Sequence, residues 1–502
     1  MWYFDRMEKE NPMERKSEYT AALDAVRSIV EAQRKWDFRN KLGNDMAGVL
    51  LAITPKFMLD NPEMFIIPDD MDAHQIKDEI LYAGRQSKEV LSGIIQKLVD
   101  ANLTYDRIFV GFLQEAKDEE FAELLSYAFL ALDGLDFNIK RHPTLLYRAF
   151  IANTDRMMQR TGKIGGEHYT EPWIADLMSE ILGIKNGDKV YDNACGMGIL
   201  ASVATVSTGA IPYVQDVVFQ YAAVAHVLLL MIGKTEGLVG IGDSILDPSI
   251  HGNYGPFDKF LLDTPFGIKT TEFRDLLEFP PMKRKTKWGE EFFTDPRNDQ
   301  WIFIRQAFKV LSEDGAGAAL VNLSMLNRDG RQYRDTRADM IERGLVSAVI
   351  ELPVGSRFYS SGKWSIVIFD RIHKHDNIFL LDLSAKEADQ YFMRNKGRVE
   401  LKYGESEKIA AIVKTRQEIE GVSKIVNASE VARNDYRLSI GGYIRVATNQ
   451  EDALRAAAAS WKRREELKKE FRRADEDLER LLGEYNGYLN RVAEDDSGLM
   501  EK

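Results

Sequence analysis

Between about Lys189 and Leu383 the chain alternates short β-branched or aromatic runs with stretches of helical spacing, and no other feature narrows its fold as much. The runs are KVYD, IPYVQD, LVGIGD, FDKFLLD and GAGAALVNL. Each is short, apolar and bounded by turn residues, which favours strand over helix. Strands that alternate with helices pair side by side in one largely parallel sheet, with helices on both faces. The expected fold class is α/β, a Rossmann-like domain. Parallel strands all finish at one sheet edge, where such folds bind their ligands. Here four of the runs finish on Asp192, Asp216, Asp243 and Asp263.

Asp192 leads directly into NACGMGILASVA, a glycine-bearing turn that opens a helix. Ala194, Gly196 and Gly198 let the backbone pass close to a ligand, and the helix start offers free N–H groups. One strand later, Asp216 stands where a carboxylate accepts hydrogen bonds from ribose hydroxyls. Asp243 follows at a third strand end. Any one of these residues alone reads as a strand terminator. The ordered set supplies the acceptors that an adenosine-containing ligand requires.

Upstream, from about Ser17 to Phe150, apolar residues recur at three and four, as in Leu23, Val26, Ile29 and Val30. Residues 1–150 are therefore expected to form a helical N-terminal domain. Residues 151–395 would hold the sheet, and 396–448 a connecting region. From Glu451 to Val492 a near-heptad seam runs through Leu454, Ala458, Trp461, Phe471 and Leu478, so 449–502 is expected as a long helix for subunit assembly. The formal net charge of -12 excludes a molecule that grips nucleic acid by overall charge. Any DNA contact must come from a local basic face or from a partner. FPPMKRKTKWG, with Lys283, Arg284, Lys285 and Lys287 close to Trp288, fits a phosphate contact and a solvated loop equally. The single cysteine, Cys195, rules out an internal disulfide framework. Neither a secretion signal nor an apolar run of membrane-spanning length is legible, so a cytoplasmic protein with no membrane partner is expected.

Taken together, these pieces resemble the N6-adenine DNA methylases of type I restriction-modification systems. GKIGGEHYTEPWIADLMSEIL is similar to the segment before the first strand, whose GxxYTP-like run meets the methionine end of S-adenosylmethionine; Tyr169 and Thr170 are the positions carried over. DNACGMGIL resembles the family's DPACGSGGFL, with Asn193 and Met197 in place of Pro and Ser. VQDVVFQYAAVAHVLLLMIG and GDSILDP resemble the next two signatures. GLVSAVIELPVGSRFYSSGKWSIVIFD and EVARNDYRLSIGGYI resemble later ones, all in family order from about Gly162 to Tyr443.

The resemblance implies a catalytic loop at Asp263, Thr264, Pro265 and Phe266, where the family carries Asn-Pro-Pro-Phe. The exocyclic amine of adenine is a poor nucleophile, because its lone pair is delocalised into the ring. Two acceptors, the first side chain of the loop and the next carbonyl, hold the amine hydrogens, and an aromatic stacks on the extruded base. Asp263 can accept as Asn does, and Asn would be expected to serve in its place. Thr264 lacks the ring that narrows φ. The resemblance thus implies S-adenosylmethionine as cofactor and double-stranded DNA as substrate. It implies a specificity subunit, a restriction subunit and a second copy of the chain as partners. The other reading is a cofactor-binding scaffold of a DNA-binding or defence complex that has lost methyl transfer; an RNA or protein methyltransferase is a more distant rival.

Overall fold

The computed structural model describes residues 12–33, 45–83, 87–103, 107–117, 121–166, 169–245, 249–265, 299–357, 360, 362–372, 375–395, 397–444 and individual positions between 458 and 480. Phe266 and the basic run from Lys283 to Trp288 lie outside them.

The five runs become β1 (Lys189–Asp192), β2 (Ile211–Asp216), β3 (Leu238–Ile241), β4 (Phe257–Asp263) and β5 (Leu311–Asn322). Then come β6 (Val346–Glu351), β7 (Trp364–Asp370), β8 (Asn377–Asp382), β9 (Phe392–Asn395), β10 (Arg398–Leu401) and β11 (Ser423–Asn427). Nine of them form one sheet in the order β11-β8-β6-β7-β5-β4-β1-β2-β3. From β3 to β5 neighbours are parallel, whereas β7 runs antiparallel between β5 and β6. β9 and β10 pair separately as an antiparallel ribbon.

Side chains along a strand alternate between faces, and the sheet is covered on both. Val190, Val214, Leu261, Leu320 and Ile366 join a core on one face, and Tyr191, Phe260, Leu262, Val321 and Val367 a second core on the other. Tyr191 stacks on Phe257 with ring centroids 4.6 Å apart, which fills the second core where β1 meets β4.

The N-terminal helices do not stand apart from the sheet. Their buried residues belong to the same apolar core as Val190 and Leu261, and Met1–Ile444 forms one compact unit. Helix Phe219–Met231, which crosses from β2 to β3, is buried along both sides because helices Asp45–Asp60 and Arg107–Gln114 cover it. Tyr147 of helix Leu145–Gly166 donates to Ser202 Oγ at 3.1 Å in helix Ile199–Val206, and the former helix runs across the boundary expected at residue 150. An apolar face on each layer with no other cover explains the merger.

Residues 396–448, expected as a connecting region, carry regular elements of their own. Helix Glu405–Thr415 and β11 lie here, and β11 adds an antiparallel edge strand beside β8. The run SKIV alternates too briefly to announce a strand without its partner. Arg445–Lys502 forms a second unit, in which the described positions between 458 and 480 are helical and Trp461 and Phe471 are exposed. Among the described residues no helix is long and apolar enough to cross a membrane.

Candidate functional site

β1 closes on Asp192 and turns sharply. Gly198, at φ 74°, starts helix Ile199–Val206, and a Cβ there would meet the Ala225 Cα at 2.7 Å. Only glycine allows both that backbone conformation and that closeness to helix Phe219–Met231. Asp192 is 1% exposed, and its Oδ1 accepts from the Ala194 N–H at 3.1 Å. Burial pushes its carboxyl well above the usual range, and the charges of Asp216 and Asp263 add to the effect. The Cys195 thiol in the same turn is also pushed well up, by burial first and then by Asp216 and Asp192.

Asp216 closes β2. Its Oδ2 accepts from the Gly196 N–H at 2.8 Å and its Oδ1 from the Val218 N–H at 2.9 Å, so this carboxylate ties the glycine turn to the end of the next strand. Val217 beside it is 65% exposed, an apolar surface next to the acid. Past β3, the Gly242 N–H donates to the Asp216 carbonyl at 3.0 Å, and Asp243 Oδ1 accepts from the Ile245 N–H at 2.8 Å. The three strand ends thus reach one sheet edge, each with a half-buried or buried carboxylate.

Asp263 closes β4 beside them. Its Oδ2 accepts from Thr170 Oγ1 at 2.8 Å and from Arg357 Nη1. Thr264 is 2% exposed and well tied: its hydroxyl donates to the Leu320 carbonyl at 2.9 Å and accepts from Gln300 Nε2 at 2.8 Å. The Thr264 carbonyl also accepts from Gln300, at 3.3 Å. Pro265 follows, partly buried. Asn193 Nδ2 donates to the Phe303 carbonyl at 3.0 Å, so helix Asp299–Lys309 holds both the β1 turn and the β4 loop.

Tyr169 and Thr170 precede helix Pro172–Leu182, whose first-turn proline suits a helix start. The Tyr169 ring is buried and its hydroxyl pairs with Thr154 Oγ1 at 3.0 Å, so its side chain serves the helical layer. Its carbonyl, by contrast, accepts from Arg357 Nη2 at 3.1 Å. Arg357, Glu171 and Gln300 were not legible in the sequence as site residues. Arg357 lies 94 positions from Asp263, and only the crossing of β7 between β5 and β6 brings that loop to the edge. A surplus of carboxylates at one edge was the available hint that a cation must be near.

A mixed sheet of this order, with acidic residues at the parallel strand ends, defines the α/β fold of the S-adenosylmethionine-dependent methyltransferases. The N-6 DNA methylase family matches residues 147–452, more than half of the chain, and the chain belongs to that family. It is 24% identical over 346 residues to a type I restriction enzyme methylase subunit, MjaVII, of Methanocaldococcus jannaschii, covering 64% of this chain and 56% of the relative. A second relative from that organism, MjaIX, is 24% identical over 396 residues, covering 72% and 64%. The chain spans about half to two thirds of the length of these curated relatives. Among solved structures, the methyltransferase subunit of a type I restriction-modification system from Streptococcus thermophilus superposes with a TM-score of 0.70 at 17% identity, over 86% of this chain and 100% of that one. A chain of another type I system gives 0.60 at 16% identity, over 91% and 97%. At these identities the superpositions speak to the fold.

Proposed function

We propose that the chain is the modification subunit of a type I restriction-modification system, transferring methyl from S-adenosylmethionine to adenine N6 in double-stranded DNA. The observation that carries this reading is Asp263 with Thr264 at the end of β4, on the same edge as Asp192, Asp216 and Asp243. The donor set fits the cofactor. Burial first, and then the charges of Asp216 and Asp263, make Asp192 resist ionisation, and a cationic sulfonium ligand at this edge would offset the repulsion among the carboxylates. Asp216 and Asp243 would hold ribose and adenine, with Val217 as an apolar bed. The backbone from Ala194 to Gly198 and the Thr170 segment would hold the methionine end. When bound, the cofactor supplies an electrophilic methyl group.

Asp263 Oδ1 and the Thr264 carbonyl then take the two hydrogens of the adenine amine. The carbonyl has a second lone pair besides the one given to Gln300. Fixing both hydrogens aims the nitrogen lone pair and costs no reorganisation during reaction. Phe266 would stack on the extruded base. A specificity subunit would supply sequence recognition, since an acidic chain gains little affinity for DNA by itself. A second modification subunit and a restriction subunit would complete the assembly.

The test is single-molecule sequencing of genomic DNA from cells carrying the native gene or Asp263→Ala. Adenine methylation at one motif is expected in the first and none in the second, with cofactor affinity nearly unchanged in the purified variant. Binding of cofactor and DNA without any methylation by the native protein would instead establish the scaffold reading.

A further inference from the structure

Arg357 meets the Asp263 carboxylate at the end of β4. Both hydrogen bonds of Asp263 among the described residues fall on one oxygen, Oδ2, from Thr170 and Arg357, and Oδ1 takes none. We propose that Arg357 is a positioning residue that makes a carboxylate, and not an amide, obligatory at position 263. The inference rests on the methyltransferase reading above. A carboxylate with two donors on one oxygen still presents its other oxygen as an acceptor. An amide so held does not. Arg357, which can only donate, selects the amide oxygen, while the Thr170 hydroxyl can donate or accept; the NH2 then turns toward the position where the adenine amine needs an acceptor, donor against donor.

For this to hold, Arg357 must not swing away, and the structure anchors it at every face. Its side chain is 5% exposed. Nη2 donates to the Tyr169 carbonyl at 3.1 Å, Nε lies 3.4 Å from Glu171 Oε2, and the guanidinium sits over the Trp364 ring at 4.7 Å. The loop that carries it is fixed as well. Gly355 has φ 90°, where a Cβ would meet the Gly397 carbonyl at 2.3 Å, and Ser356 Oγ donates to the Pro353 carbonyl at 2.6 Å. Burial lowers the guanidinium's hold on its proton, yet Asp263 and Glu171 more than offset this and leave it above its ordinary value. Leaving the pair would strand buried charge on both sides. An Asn at this position, as in the related methylases, therefore calls for a different neighbour than Arg357.

The test is a swap read on the assembled native complex, with methyl transfer measured at saturating cofactor and DNA. D263N alone is expected to lose transfer by about 100-fold or more, as when an oriented active-site hydrogen bond is removed. D263N combined with R357Q is expected to regain at least about tenfold of that loss, because a Gln amide can offer its carbonyl to the new NH2 and let the amide oxygen turn to the base. D263N combined with R357M, which removes the donor altogether, is read in the same way if the first pair fails to fold. Thermal melting of each variant certifies folding. D263N as active as the native protein would overturn the inference while leaving the functional reading intact. So would folded double variants no better than D263N. A native complex that methylates no adenine would overturn the functional reading, and this inference with it.

Discussion

Thr264 shows how a departure from a family pattern can be read wrongly from sequence. The missing proline ring suggests a loosened loop, yet the Thr hydroxyl accepts from Gln300 and donates to Leu320, and the Thr264 N–H lies 3.3 Å from that same carbonyl. Preorganisation comes from hydrogen bonds. Thr264→Pro removes the hydroxyl and the N–H together, so it is expected to destabilise by about 2 to 4 kcal/mol and to slow transfer. Denaturant unfolding that finds the variant as stable as the parent would contradict this. Asp216 carries a similar lesson. Asp216→Ala is expected to weaken cofactor binding about 5- to 100-fold by calorimetry, and also to lower the melting temperature, since the Gly196 and Val218 N–H groups lose their acceptors. Loss of affinity with melting unchanged would mean the turn is held elsewhere.

Asp192 gives a pH dependence with a defined sign. Burial first, then Asp216 and Asp263, raise its folded carboxyl above the unfolded one, opposed by the Ala194 N–H. A raised carboxyl favours the folded state at pH below the unfolded value, and that advantage disappears as pH rises through the folded value. Asp192→Asn keeps an acceptor for Ala194 and removes the titration. Its stabilising effect is expected to grow as pH rises above the ordinary carboxylate range, read by melting temperature in matched buffers, and a gain that shrinks with pH would refute the assignment.

At the scale of elements, the signature EVARNDYRLSIGGYI is secured by one fully buried cation. Arg337 of helix Arg331–Glu342 donates to the carbonyls of Tyr436 at 2.8 Å, Met325 at 3.3 Å and Arg328 at 3.2 Å. Burial pulls its guanidinium down to about 10, still charged at neutral pH. Asp435 and Tyr436 both adopt positive φ, 56° and 53°, in the turn so held. Arg337→Met would leave three carbonyls without their donor and is expected to cost about 3 to 5 kcal/mol of unfolding free energy by denaturant titration. A cost below about 1 kcal/mol would show that the turn holds itself.

At the scale of the whole molecule, the proposed assembly assigns separate tasks to the two units. Met1–Ile444 carries the cofactor edge, and the later unit carries exposed Trp461 and Phe471 among charged helical residues. Truncation after Ile444 is expected to leave cofactor binding intact and to abolish co-purification with a specificity subunit. The intact chain alone is expected to bind DNA weakly and without sequence preference, as its charge of -12 implies. A truncated chain that still assembles and methylates would show that the later unit is not the docking piece.

Periodicity and strand-closing residues are local properties, and they were enough to place β1 to β5, the edge at which Asp192, Asp216, Asp243 and Asp263 meet, and the glycine turn between the first two. Those signals depend on backbone geometry within a few residues. Strand β11 was not legible, because five residues become a strand only when β8 offers a free edge. Nor was the union of the N-terminal helices with the sheet, which follows from apolar faces that nothing else covers. The partners of Asp263 lay furthest beyond reach. Ion pairs and hydrogen bonds form wherever the folded chain brings a donor to an acceptor, so only the tertiary structure could decide that a buried arginine from the loop after β6 holds the acid at the end of β4.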